Sequence, residues 1–166
     1  MVKITFTDEN DNVLGSGTKE DVWKKGIWHR VVRVYLINSK GEVLITRRAA
    51  SLVSCPGKWN DSASGHVDEG ETYQQAALRE LNEEVGISGI YLRKISKIKC
   101  SETDESEKIK NRFTTIFTGQ YDGEVNFNPS EVEQIRWVHL RELKDLVKEQ
   151  SGDFTEGFKN GLALIQ

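Results

Sequence analysis

The sequence predicts an α/β fold in which helices cover a mixed central β-sheet. Three observations carry this expectation. Apolar, β-branched runs alternate along the chain with stretches of helical periodicity, so strands and helices are interleaved. The length, 166 residues, is near that of one average domain and sufficient to bury a real core. Only two prolines, Pro56 and Pro129, interrupt the chain, and no Pro-rich linker, low-complexity tract or repeat of roughly 20–50 residues divides it. Residues 1–166 are therefore expected to form a single domain, with residues 1–27 as an N-terminal hairpin extension.

The elements follow in order. Val2, Ile4 and Phe6 alternate, Asp8 to Asn12 is turn chemistry, and Val13 and Leu14 resume, which predicts a small hairpin. Thr18 to Trp23 reads as a short helical turn capped by Thr18, with Asp21 three residues on. The run WHRVVRVYLI, Trp28 to Ile37, is β-branched and aromatic and reads as a strand. After a turn at Asn38 to Gly41, Glu42 to Thr46 returns as its hairpin partner. Ala49 to Asp61 is loop-like around Pro56-Gly57. A helix is expected from Thr72 to Val85, closed by Gly86. Ile90 to Ile98, Phe113 to Tyr121 and Gln134 to Val138 read as strands, and the charged stretch Ser101 to Arg112 as an exposed loop. Two helical stretches, Leu140 to Lys148 and Phe154 to Leu164, end the chain.

Charge and composition exclude several classes. With 23 Lys plus Arg against 26 Asp plus Glu, the net charge of −3 lacks the basic excess of a general nucleic-acid binder. No apolar run approaches the roughly 18 residues that span a bilayer, so no membrane partner is expected. The opening MVKITFTDENDN lacks the apolar core of a secretory signal. Cys55 and Cys100, the only cysteines, show no metal-ligand spacing and are expected to be reduced thiols, which fits a cytoplasmic address.

The chemistry is concentrated in Gly65 to Ile87, GHVDEGETYQQAALRELNEEVGI. Thr72 and Gln75 form a capping box, and Ala77, Leu78, Leu81 and Val85 make an apolar stripe. Glu80, Glu83 and Glu84 gather on the neighbouring side, because positions three and four apart are neighbours on a helix. Three adjacent like charges cost stability. They suit a hard divalent cation such as Mg²⁺, which prefers carboxylate oxygens alongside substrate phosphates. A solvated helix face is the ordinary reading of a lone Glu-Glu pair. Here the wider spacing, Gly-x5-Glu-x7-Arg-Glu-apolar-x-Glu-Glu-x-Gly-apolar, is met at Gly65, Glu71, Arg79, Glu80, Leu81, Glu83, Glu84, Gly86 and Ile87. With each residue type at about a twentieth of average composition, a chance match in such a chain is on the order of one in a million. The segment also holds the acidity: six acids against one base give it −5, and the rest of the chain is +2.

This segment resembles the signature box of the Nudix hydrolases, which cleave nucleoside diphosphates linked to another moiety. The resemblance implies an α/β/α sandwich, with the box, residues 65–87, as a loop-helix-loop. It implies Glu80, Glu83 and Glu84 as catalytic ligands of Mg²⁺ or Mn²⁺, with the Gly65 carbonyl as a further ligand. Glu71, Arg79 and Gly86 take structural roles. The expected reaction is attack of water on phosphorus in a diphosphate linkage of a nucleotide or other small-molecule diphosphate. Outside the box, Glu102, Asp104, Glu105, Glu107, Glu131 and Glu133 are the carboxylates within reach as a proton acceptor. Arg48 suits phosphate geometry, and Trp59 is a candidate stacking surface or a loop core residue.

The flanks are similar to the isopentenyl-diphosphate isomerase branch of the same superfamily. Trp28-His29-Arg30, Arg48-Ala49, Pro56-Gly57-Lys58-Trp59 and Ser64-Gly65-His66 carry that similarity. Ser64 stands where the isomerase has its catalytic cysteine, and a hydroxyl does not replace a thiol acid/base unaided. Lys110 and Arg112 stand where the isomerase has a metal-binding Glu-x-Glu pair. His29 and His66 are accordingly read as packing or hydrogen-bonding residues. The reading is a diphosphohydrolase; the alternatives are isomerase-like activity and a non-catalytic nucleotide-sensing domain. The sequence leaves the oligomeric state open, a homodimer included.

Overall fold

The computed structural model describes residues 1–103 and 107–166. The chain order is β1 (Ile4–Thr7), β2 (Val13–Gly17), α1 (Lys19–Lys25), β3 (Trp28–Ile37), β4 (Glu42–Arg48), β5 (Trp59–Asn60), β6 (Ala63–His66), α2 (Tyr73–Val85), β7 (Arg93–Thr103), β8 (Ile109–Gln120), β9 (Val132–His139), α3 (Leu140–Glu149), a 3₁₀ turn at Ser151–Asp153, and α4 (Glu156–Leu162). The strands join in one mixed sheet, antiparallel except for the parallel pair β3 and β8.

Alternation along β3 sorts the core into two layers. Val32, Val34 and Leu36 face one side, where Ala76, Ala77, Leu81 and Val85 of α2 cover them. Tyr35 faces the other, against Ile45, Leu143 of α3 and Phe158 and Leu162 of α4. The sheet is thus sandwiched between α2 and the C-terminal helices, as expected. Both predicted capping boxes form, Thr18 with Asp21 on α1 and Thr72 with Gln75 on α2. Gly86 ends α2 at φ 69°, where a Cβ would also meet the Asn126 carbonyl oxygen at 2.7 Å.

Four expectations are corrected. The β3–β4 hairpin is paired only at Ile37↔Val43, after which the strands part. Gly65 and His66, read as part of the loop that opens the box, belong with Ala63 and Ser64 to strand β6, which takes that edge of β3, while β4 pairs with β5 and β9. Ser101 to Arg112 is not a simple loop. Its described residues extend β7 and β8 as a ladder from Cys100↔Arg112 to Thr103↔Ile109; Asp104 and Glu105 lie outside the described residues. Its polar composition hid this, because a ribbon built almost wholly of polar residues has no apolar alternation to read. The preceding strand begins at Arg93 rather than Ile90.

β1 joins the N-terminal hairpin to the sheet by pairing with β3, and Asp11 ties down the tip of the hairpin. Asp11, at φ 66°, accepts hydrogen bonds from Arg30 Nε (2.6 Å), Lys97 Nζ (2.6 Å) and Tyr73 Oη (3.0 Å), joining the β1–β2 turn to β3, β7 and α2. Burial alone would raise the Asp11 carboxyl, but these donors outweigh it and hold the group below its usual 3.8. A carboxylate depressed in the folded state contributes stability at neutral pH and loses it as pH falls through the folded value. Asp11→Asn, which tolerates the same backbone, is therefore expected to lose about 1–2 kcal/mol at pH 7. The difference from the parent should close in acid well below pH 3.8, as read by urea unfolding at both pH values.

Candidate active site

The site grows from α2. Its apolar stripe fixes its rotation on the sheet, and that rotation turns Glu80 and Glu84 inward with the core residues. Glu80 and Glu84 are 9% and 7% exposed, whereas the Glu83 side chain is 49% exposed. Burial, opposed by Arg79, pushes the Glu80 carboxyl up to about 7. Burial, reinforced by the charges of Glu80 and Asp61, pushes Glu84 well above the usual carboxylate range. Glu84 Oε1 accepts a backbone N–H from Ser64 at 3.3 Å.

The loop before α2 is braced against it. Arg79 forks onto Glu71, with Nε to Oε1 at 2.8 Å and Nη2 to Oε2 at 3.0 Å, and Nη2 also donates to the His66 carbonyl at 2.9 Å. Glu71 Oε2 in turn accepts the Asp68 N–H at 3.0 Å. Arg79 Nη1 reaches Glu80 at 2.8 Å and Glu83 at 3.2 Å. Gly65 on β6 is where the strand approaches the helix: a Cβ there would collide with the Glu80 carboxylate.

Ser64, Gly65, Arg79, Glu80, Glu83 and Glu84 line a cavity of about 970 Å³ at the split between β3 and β4. Arg33 and Ser64 come from one branch, and Arg48 and Asn60 from the other. Lys19 of α1 and Lys58 of the loop between β4 and β5 add cations. Arg48 donates from Nε to the Ser54 carbonyl at 2.9 Å. Trp59 does not line the cavity. Its ring packs on the α3–α4 side of the core with the Arg136 guanidinium 5.6 Å from its centre. Of the outlying carboxylates, Glu102 and Glu131 line the cavity; Glu102 pairs with Arg112 at 2.6 Å, and Glu133 pairs with Arg47 at 3.1 Å outside it. His29 and His66 stack with ring centres 5.4 Å apart, and burial lowers His29 to about 4 and His66 well below its usual value. Both are neutral at pH 7. Cys55 and Cys100 are free thiols.

The residues fit a hard divalent cation by their chemistry. Two buried carboxylates with raised proton affinity, beside a glycine that leaves room for them, form an oxygen donor set that gains from a positive charge. Among the described residues no three His, Cys, Asp or Glu side chains are gathered as a closed metal cage; Arg79 supplies the neutralising charge to Glu80 and Glu83.

The NUDIX domain family model matches residues 27–158. The chain belongs to the Nudix family, and it is a Nudix hydrolase. Among curated proteins it is 32% identical over 163 residues to isopentenyl-diphosphate Delta-isomerase 2 of Photorhabdus laumondii, covering 96% of this chain and 92% of that protein. It is 29% identical to the prenyl-diphosphate phosphatase of Methanosarcina mazei, covering 98% and 94%. The crystal structure of DR0079 from Deinococcus radiodurans superposes with a TM-score of 0.80 at 22% identity, covering 99% of each chain, and so shares the fold. No helix among the described residues is long and apolar enough to cross a membrane.

Sequence reasoning missed Arg33, Asn60 and Asp61, which lie together at the cavity floor. One signal was present: Arg33 interrupts an otherwise apolar stretch in the middle of a strand. The Gly65 contact generates a test. In Gly65→Ala the Glu80 carboxylate, the far end of a flexible side chain, must move aside, so the fold survives. Activity is expected to fall about 10- to 100-fold through misplacement of that group, with the melting temperature little changed in a calorimetric scan.

Proposed function

We propose that the protein hydrolyses a diphosphate linkage in a nucleoside diphosphate-type substrate, by attack of water on phosphorus with Mg²⁺ or Mn²⁺ present. The carrying observation is the burial of Glu80 and Glu84 side by side at Gly65, in a cavity that also holds Lys19, Arg48 and Lys58. Glu80, Glu83 and Glu84 would hold the ion, together with the Gly65 carbonyl. When bound it neutralises phosphate oxygens and lowers the pKa of water. Arg79 and Glu71 hold the box loop in register with the helix. Arg48 offers a guanidinium to the phosphate chain. Glu131 lines the cavity close enough to Glu80 and Glu84 to raise both, and is the outlying carboxylate best placed to take the proton from water.

The relatives support a second reading, an isoprenoid diphosphate as the substrate of the same hydrolysis. Isomerisation is disfavoured. Ser64 stands at the cysteine position with its hydroxyl accepting from Asn60 Nδ2 at 3.0 Å, and Lys110 and Arg112 line the cavity where a carboxylate pair would be needed.

Purified protein is expected to release phosphate or a phosphorylated product from at least one member of a panel of nucleoside di- and triphosphates, nucleotide sugars, dinucleotides and isoprenoid diphosphates, only with a divalent cation. Glu84→Gln is expected to lower that rate by about 100-fold or more. Absence of cation-dependent turnover across the panel would overturn the proposal.

A further inference from the structure

The cavity floor contains a buried ion pair that diphosphate chemistry does not require. Arg33 lies midway along β3 on the face toward α4, and its side chain is 12% exposed. Its Nη1 donates to Asp61 Oδ2 at 2.5 Å and to Asn60 Oδ1 at 3.2 Å. Asp61 is fully buried, and its second oxygen has no hydrogen-bond partner among the described residues. Thr155 donates to Asn60 Oδ1 at 2.6 Å and, by accepting from the Phe158 N–H at 3.2 Å, also caps α4. Gly157 in the first turn of α4 leaves the space the guanidinium occupies, since a Cβ there would collide with it. Asp61 and Asn60 of the β5–β6 segment, with Thr155 and Gly157 at the start of α4, thus hold one arginine in place.

Stability does not explain the arrangement. Buried ion pairs are often no better than apolar residues of the same volume. Nor is the arginine used up. A guanidinium has five N–H donors, and only Nη1 is engaged; Nε and Nη2 have no hydrogen-bond partner among the described residues, and Arg33 lines the cavity. The Arg33–Asp61 pair is neutral overall. It therefore presents directed donors with little net charge, while phosphates meet cations at Lys19, Arg48 and Lys58 that make no salt bridge among the described residues. Such donors suit a neutral acceptor edge, the carbonyl or ring nitrogen of a heteroaromatic base. A hydrocarbon tail in the same place would strip water from the guanidinium and return no hydrogen bond.

We propose that Arg33, held by Asp61 and Asn60, is a specificity-determining residue that donates hydrogen bonds to the base of a nucleotide substrate and discriminates against isoprenoid diphosphates. The proposal rests on the diphosphohydrolase reading above and names its substrate class. Wild-type protein is compared on three substrates: a set of nucleoside diphosphates, ribose 5-diphosphate, which has no base, and isopentenyl diphosphate. The best nucleoside diphosphate is expected to exceed each of the other two in kcat/KM by about 10-fold or more. In Arg33→Met/Asp61→Asn, which leaves no unpaired buried charge, that preference should shrink about 10- to 100-fold. Arg33→Lys, which keeps the cation but loses the planar fork, should shrink it in the same direction. Equal losses on all three substrates, no loss on any, or a wild-type preference for ribose 5-diphosphate or isopentenyl diphosphate would overturn the proposal. The wild-type comparison needs no variant to fold. A wild-type protein that cleaves none of the three is taken to the wider panel, where absence of cation-dependent turnover counts against the hydrolase reading. Base recognition is then read by titrating a nucleoside monophosphate, with binding by the wild type and its loss in Arg33→Lys expected, and absence of binding overturning it.

Discussion

The close approach of α2 to β6 at Gly65 is the constraint on which the site depends. The helix is held against the sheet by Ala77, Leu81 and Val85, and the same rotation that buries them brings Glu80 and Glu84 under the strand. A side chain at residue 65 would move Glu80 away; its absence lets the carboxylate lie against backbone. The Arg79–Glu71 fork then fixes the intervening loop, so that strand, loop and helix keep one geometry. Packing, charge placement and cavity shape are consequences of a single interface.

That interface is costly in isolation. Two carboxylates with raised proton affinity sit near a buried aspartate, in surroundings that disfavour negative charge. Arg79 and Arg33 offset part of the cost from opposite ends, one at the box loop and one beneath it. A site that concentrates −5 in 23 residues of sequence, on a body that is slightly basic, favours a positive charge beside it. The parting of β3 and β4 supplies the room, because the strands that fill each freed edge leave a cleft between the two branches.

Much of this was legible in the sequence where the signal is local. The capping boxes at Thr18 and Thr72, the αL glycine at Gly86 and the apolar stripe of α2 depend on residues within a few positions of one another, and they form as read. The extended ribbon of β7 and β8 was not legible past Ser101, because its residues are polar on the exposed face and on the half-buried face alike, so no apolar alternation marks them. Strand β6 was not legible either: Ala-Ser-Gly-His has turn composition and becomes a strand only because β3 presents a free edge to it. Trp59 could be placed only by its neighbours, and these put its ring in the core beside Arg136.

The sequence by itself determined the family, the helix that carries the glutamates and the identity of those glutamates, since the spacing of a capped amphipathic helix is a local property. The tertiary structure decided which glutamates are buried, where the cleft opens and that Arg33 stands at its floor with Asp61 beneath it. Those features bring together residues from β3, β6, α2 and α4 that are far apart in the chain. Burial and charge coupling between them exist only once the sheet has set their distances.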